Sequence, residues 1–83
     1  MINWYATRDK GARQVWIWRG EVPPEEDPKG VFLPPAKGEC DAIFFTGFAK
    51  FKATYGWRPE SGVCVKLIDV RFSPRIGAKG VDR

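Results

Sequence analysis

The chain of 83 residues has no histidine. That absence removes the usual general base, the Ser/His and Cys/His nucleophile pairs and the commonest metal ligand together. Cysteine is scarce too: Cys40 and Cys64 are too few for the disulfide framework of a small secreted domain, and they are too far apart for a Cys-x-x-Cys motif. Reduced core thiols are the plain expectation. No stretch reaches the run of about eighteen uncharged apolar residues that spans a bilayer, and no basic-then-apolar start of the secretory kind is present, so a cytoplasmic location is expected.

Motifs that carry chemistry are also missing. There is no calcium-loop spacing, no phosphate-binding glycine loop and no dinucleotide fingerprint. Glu25, Glu26 and Asp27 lie together, with Glu21, Glu39 and Asp41 nearby. Paired acids can serve hydrolysis or hold a divalent cation, but in a proline-rich stretch they read as solvated charge. The expectation is a binding protein with no enzyme activity, no cofactor and no metal.

What the chain does have is aromatic side chains: four Trp, six Phe and two Tyr. A chain this short buries only about 60–65% of the surface its unfolded form exposes. Ordering it costs roughly 1.5 kcal/mol per residue, and large rings supply buried apolar area most densely. The net charge is +4, unevenly spread. Residues 1–20 carry four basic and one acidic side chain, residues 21–41 two and six, and residues 42–83 eight and three. An acidic middle thus separates two basic portions, which make a positive surface if the fold brings them together.

Ile2 to Thr7 is rich in β-formers and runs into a polar cluster, Arg8-Asp9-Lys10-Gly11-Ala12, with glycine where a hairpin turn needs positive φ. Arg13 to Arg19 follows, with Val15, Trp16, Ile17 and Trp18 at its centre. A hairpin over 2–19 is predicted, with Val15 and Ile17 on one face and Trp16 and Trp18 on the other. From 20 to 38 the prolines and acids break any period and predict a long loop, with Val31-Phe32-Leu33 as a short edge strand or an anchor to the core.

Asp41 to Gly56 supports two readings. As a helix, Asp41 caps it, Phe44, Phe48, Phe51 and Tyr55 form its stripe, and Gly56 ends it. As a strand, Ile43, Phe45, Gly47, Ala49, Phe51, Ala53 and Tyr55 form an unbroken apolar face. The strand is favoured, because Phe, Ile, Thr and Tyr are mediocre helix formers and a mid-helix Gly47 costs about 1 kcal/mol. Val63 to Phe72 reads as its partner across the Arg58-to-Gly62 turn. The pairing would set Tyr55 against Cys64, Phe51 against Ile68, Ala49 against Val70, Gly47 against Phe72, Lys50 against Asp69 and Phe48 against Arg71. Gly47 would then suit a bulge.

The fold class expected is therefore mostly β, a small antiparallel sheet or barrel of four to five strands built from hairpins over 2–19 and 42–72. The alternative is α+β, with a helix at 41–55 on a three-stranded sheet. One domain is expected over 1–76, with a flexible basic tail at 77–83. Open sheet edges make a homodimer possible.

Aromatic and basic side chains interleave on the expected strands. Trp16, Trp18 and Arg19 on the first hairpin, and Phe48, Lys50, Lys52, Trp57, Arg58 and Arg71 on the second, supply a platform for single-stranded DNA or RNA, in which rings stack on bases and cations track phosphates. A protein-binding module, such as a small inhibitor or adaptor using exposed Trp and Arg as anchors, is the alternative. The platform requires residues 43–72 to be an extended ribbon; helical turns through Phe44, Phe48, Phe51 and Tyr55 would remove it, and with it the partner expectation drawn from it.

Overall fold

The computed structural model describes residues 1–71. The expected domain end at 76, the tail at 77–83 and Phe72 as a partner of Gly47 lie outside the described residues. The elements are β1 (Asn3–Arg8), β2 (Gln14–Gly20), β3 (Glu25–Glu26), β4 (Phe32–Leu33), β5 (Cys40–Gly47), α1 (Phe48–Tyr55) and β6 (Val63–Leu67). Four of the strands form one antiparallel sheet in the order β5-β2-β1-β6, while β3 and β4 pair by themselves. The fold is mostly β with a small antiparallel sheet, which among the described residues is open and does not close into a barrel. Among the described residues no helix is long and apolar enough to cross a membrane.

The first hairpin forms as its pattern predicts. Tyr5 faces Trp18, Ala6 faces Ile17 and Thr7 faces Trp16 across β1 and β2. The Asp9 carbonyl accepts the Ala12 N–H at 3.0 Å to close the turn, and Gly11 supplies the positive φ of 76°. β2 is apolar on both sides because it is a central strand covered on both faces. On one face Ala6, Val15 and Ile17 join Phe51 and Leu67 in a core, with Trp4, Phe44, Phe48 and Tyr55 packed against it. On the other, Tyr5, Trp18, Phe32 and Cys40 form a second cluster. Phe32 is thus the anchor that holds the proline-rich loop down. It is aided by its own N–H, which donates to the Asp9 carboxylate at 2.9 Å, and by Lys10 N–H, which donates to the Gly30 carbonyl at 2.9 Å.

The second hairpin, over 42–72, does not form. β5 pairs with β2 and β6 pairs with β1, so the two segments expected to be partners lie on opposite edges of the sheet. Between them α1 crosses one face. None of the pairs Lys50–Asp69, Phe51–Ile68 or Phe48–Arg71 exists, and β6 ends at Leu67. The α+β alternative errs in its bounds: the helix starts at Phe48, not Asp41, and the sheet has four strands, not three.

The physical reasons are specific. Gly47 is not inside the helix but at its N-cap, in extended conformation with φ −74° and ψ 166°, so the mid-helix penalty does not arise. Gly56 closes the other end in the left-handed region at φ 83°, with its N–H donating to the Lys52 carbonyl at 2.7 Å. The apolar face assigned to a strand counted Ala49 and Ala53, and both are exposed. Phe48, Phe51 and Tyr55 share one side of the helix instead, and burying Phe51 outweighs the indifferent propensity of the rings. The expected bulge at Gly47 falls elsewhere. Ile17 pairs with Phe44 and Trp18 with Ala42, so Ile43 is the extra residue.

Two substitutions test this packing. Phe51 is fully buried, at 0% exposure. Phe51→Ala is expected to cost about 3–5 kcal/mol, enough to unfold much of a domain this small at 25 °C by far-ultraviolet circular dichroism. At Gly20 an added Cβ would collide with the Glu39 carbonyl oxygen and the Cys40 Cα, so Gly20→Ala is expected to lower the urea midpoint whereas Gly47→Ala, whose Cβ meets nothing within 4 Å, is not.

Candidate functional site

α1 presents cations and rings on the side of the molecule away from the proline-rich loop. The segment 42–59 carries Lys50, Lys52 and Arg58 and no acid, whereas 21–41 carries six acids and two bases. Since α1 covers one face of the sheet and the loop covers the other, the five acids of 21–39 belong to the layer opposite Lys50, Lys52 and Arg58, whereas Asp41 stands beside Arg19 on the helix side and Lys66 beside Tyr5 on the loop side. Such a separation produces a directed field.

At the N-terminal end of α1, the guanidinium carbons of Arg8 and Arg58 stand over the Phe48 ring at 4.4 and 4.5 Å. Arg8 is held there by its Nε donating to the Ala12 carbonyl at 2.9 Å. Along the helix Lys50 and Lys52 are exposed. At the C-terminal end a cleft of about 220 Å³ opens between Tyr55 and Trp57 on one wall and Val65 to Asp69 on the other, with Lys66 and Arg71 in its lining. Trp57 is 38% exposed and packs edge-on against Phe51 at 5.2 Å between centroids. The Tyr55 hydroxyl donates to the Asp69 carbonyl at 3.1 Å and accepts the Arg71 N–H at 2.9 Å. Arg71 also pairs with Asp69 at 3.0 Å, which partly neutralises it.

Of the residues singled out from sequence, Phe48, Lys50, Lys52, Trp57, Arg58 and Arg71 gather around α1. Arg19 lies on the same side of the sheet but stands over Trp4, at 5.8 Å. Trp16 and Trp18 do not join them, because they point to the opposite face. Trp18 is buried at 3% exposure, with its indole N–H donating to the Thr7 hydroxyl at 2.8 Å, so its ring cannot stack on a ligand from outside. Trp16 lies against Phe45 at 4.9 Å. The extended platform is therefore corrected: the rings of the first hairpin and the cations of the second segment are on different faces. Arg8 and Tyr55 join the group around α1 without being among the predicted residues, while Lys66 only edges the cleft, since its pairing with Tyr5 turns its side chain to the loop face. The sequence groups Arg8 with the polar turn residues, although alternation from Trp4 and Ala6 places it on the helix side.

Chemistry by the thiols is not favoured by their surroundings. Both cysteines are free; burial, and after it Asp41, pushes Cys40 up, and burial, then Cys40, pushes the Cys64 thiol up to about 11. The nucleophilic thiolate is correspondingly scarce near neutrality. Among the described residues no group of three or more Cys, Asp or Glu side chains is placed to hold a metal ion.

A thiol whose folded value is raised stabilises the fold fully below its ordinary value of 9.0 and loses that contribution as the pH rises towards 11. Cys64→Ala is accordingly expected to show a smaller fall in urea midpoint than the parent chain between pH 8.5 and pH 11. Equal falls in the two proteins would contradict this. No protein-family model matches the chain, and neither the curated proteins nor the solved structures give a match.

Proposed function

We propose that the protein is a non-catalytic binding protein that takes single-stranded nucleic acid along the helix side of its sheet. The observation that carries this reading is the segregation of charge: Arg8, Lys50, Lys52 and Arg58 surround α1, while Glu21, Glu25, Glu26, Asp27 and Glu39 belong to the loop layer. Rings interleave with these cations. Trp57 and Tyr55 wall a cleft that is small beside the ~300–1,000 Å³ of drug-sized sites, which suits one base rather than a larger ligand. An exposed ring stacks on any base and lysines track phosphates, so binding is expected to tolerate sequence.

The sheet itself is not the platform in this reading. α1 and the edge of β6 take that role, and the eight-residue helix offers a path of about 12 Å.

A labelled oligonucleotide titrated across a salt series tests the proposal. With about four phosphates neutralised, log K is expected to fall with log salt at a slope near −3. Replacing Lys50 and Lys52 together by Ala is expected to make that slope about 1.4 less steep and to weaken all sequences alike. Trp57→Ala is expected to cost about 1–3 kcal/mol of binding with the slope unchanged. Gly47→Asp separates binding from folding, since a capping carboxylate in the open space at that position favours α1 by a few tenths of a kcal/mol while opposing an anionic ligand. Absence of binding at 50 mM salt would rule the reading out.

A further inference from the structure

The acidic side of the molecule carries a second, separate feature. Between the sheet and the loop lies a cavity of about 220 Å³ lined by Asp9, Trp16, Trp18, Val31, Phe32 and Ala42. Two indoles and a phenyl ring wall it. The Trp18 ring is fixed by its hydrogen bond to Thr7, and Phe32 by the bond from its N–H to Asp9 Oδ1 at 2.9 Å. That bond takes one carboxylate oxygen, and Asp9 makes no ion pair among the described residues.

The cavity adjoins a free sheet edge. Ala42 belongs to β5, an eight-residue strand whose outer side pairs with no other strand among the described residues. Phe45 and Ile43 on that strand are 52% and 45% exposed. A long edge with exposed apolar side chains is a template for a further strand, in which main-chain hydrogen bonds supply affinity and pockets for alternate side chains supply selectivity.

We propose that the β5 edge and the Asp9–Trp16–Trp18 cavity together form a docking groove for an extended basic segment of a protein partner, with an arginine or lysine side chain of that segment entering the cavity. Charge complementarity selects this occupant. The half-buried Trp16 ring offers the accessible aromatic face, the Asp9 carboxylate makes no ion pair among the described residues, and the loop that builds the cavity carries five acids and two bases over 21–39. An acidic side chain entering the cavity would meet the Asp9 carboxylate. The groove lies on the face opposite α1, so this inference stands independently of the nucleic-acid reading.

The test is a titration of the full chain with a synthetic peptide of alternating threonine and arginine, followed by tryptophan fluorescence and by the indole N–H resonances of Trp16 and Trp18. Saturable binding is expected, with none for the peptide carrying glutamate in place of arginine. Asp9→Asn keeps the acceptor for the Phe32 N–H but removes the charge, and is expected to weaken binding by about tenfold or more with the melting temperature near native. N-methylation of alternate peptide amides on the edge-facing side is expected to abolish binding. Replacement of Lys50 and Lys52 should leave it unchanged, which separates this site from the helix face. Equal binding of the arginine and glutamate peptides, or indifference to Asp9→Asn, would overturn the proposal. So would a dimer in sedimentation that the arginine peptide fails to dissociate, since a second copy would then hold the edge.

Discussion

The insertion of Phe51 into the face of the sheet formed by Ala6, Val15, Ile17 and Leu67 is the contact on which the rest of the molecule depends. α1 has eight residues, fewer than an isolated helix needs to persist in water. Its stability therefore comes from that one buried ring and the stacked or edge-on rings around it, Tyr55 at 4.9 Å and Trp57 at 5.2 Å. Because the helix must lie across the sheet to place Phe51, the chain enters at one edge and leaves at the other. β5 and β6 end up separated by β2 and β1 for that reason.

The division of labour between the two faces follows. Covering one side with α1 leaves the other to be covered by the loop of 21–39, held by buried Phe32 and Pro24, the Phe32 N–H to the Asp9 carboxylate and a few main-chain hydrogen bonds. The loop carries five acids and the helix layer Lys50, Lys52 and Arg58, so the sheet separates charges that the linear order merely places in succession. The same topology leaves both outer strands unpaired among the described residues. Ile43 and Phe45 on β5, and Ile68 just past β6, are the apolar side chains that result.

The first hairpin was legible because its turn residues and its alternation agree, and its central strand could be seen to need cover on both faces. The loop and its anchor at Phe32 were legible from proline and from an isolated apolar triplet. The segment 41–56 was not, since Phe, Ala and Lys in alternation satisfy a period of two almost as well as a period of 3.6 over so short a length. Propensity decides it wrongly, since tertiary burial of Phe51 outweighs the indifferent helix preference of Phe, Ile, Thr and Tyr, and Ala49 and Ala53, which complete the strand's apolar face, are exposed. Gly47 misleads in the same way, since it caps the start of the helix instead of interrupting it, whereas Gly56 ends the helix as the helical reading has it. Of the candidate site, the cations were found and their grouping was not, because the grouping depends on where α1 crosses. Arg8 illustrates this: only when Phe48 is brought back over β1 does its guanidinium acquire a ring to stand on.

The most direct measurement is a set of proton–proton distances in solution by nuclear Overhauser spectroscopy on labelled protein. Cross-peaks from the Phe51 ring to the methyl groups of Ala6 and Ile17, with sequential amide contacts through residues 48–55, are the expected result. Backbone α-proton contacts between Lys50 and Asp69, the signature of a doubled-back ribbon, would contradict it.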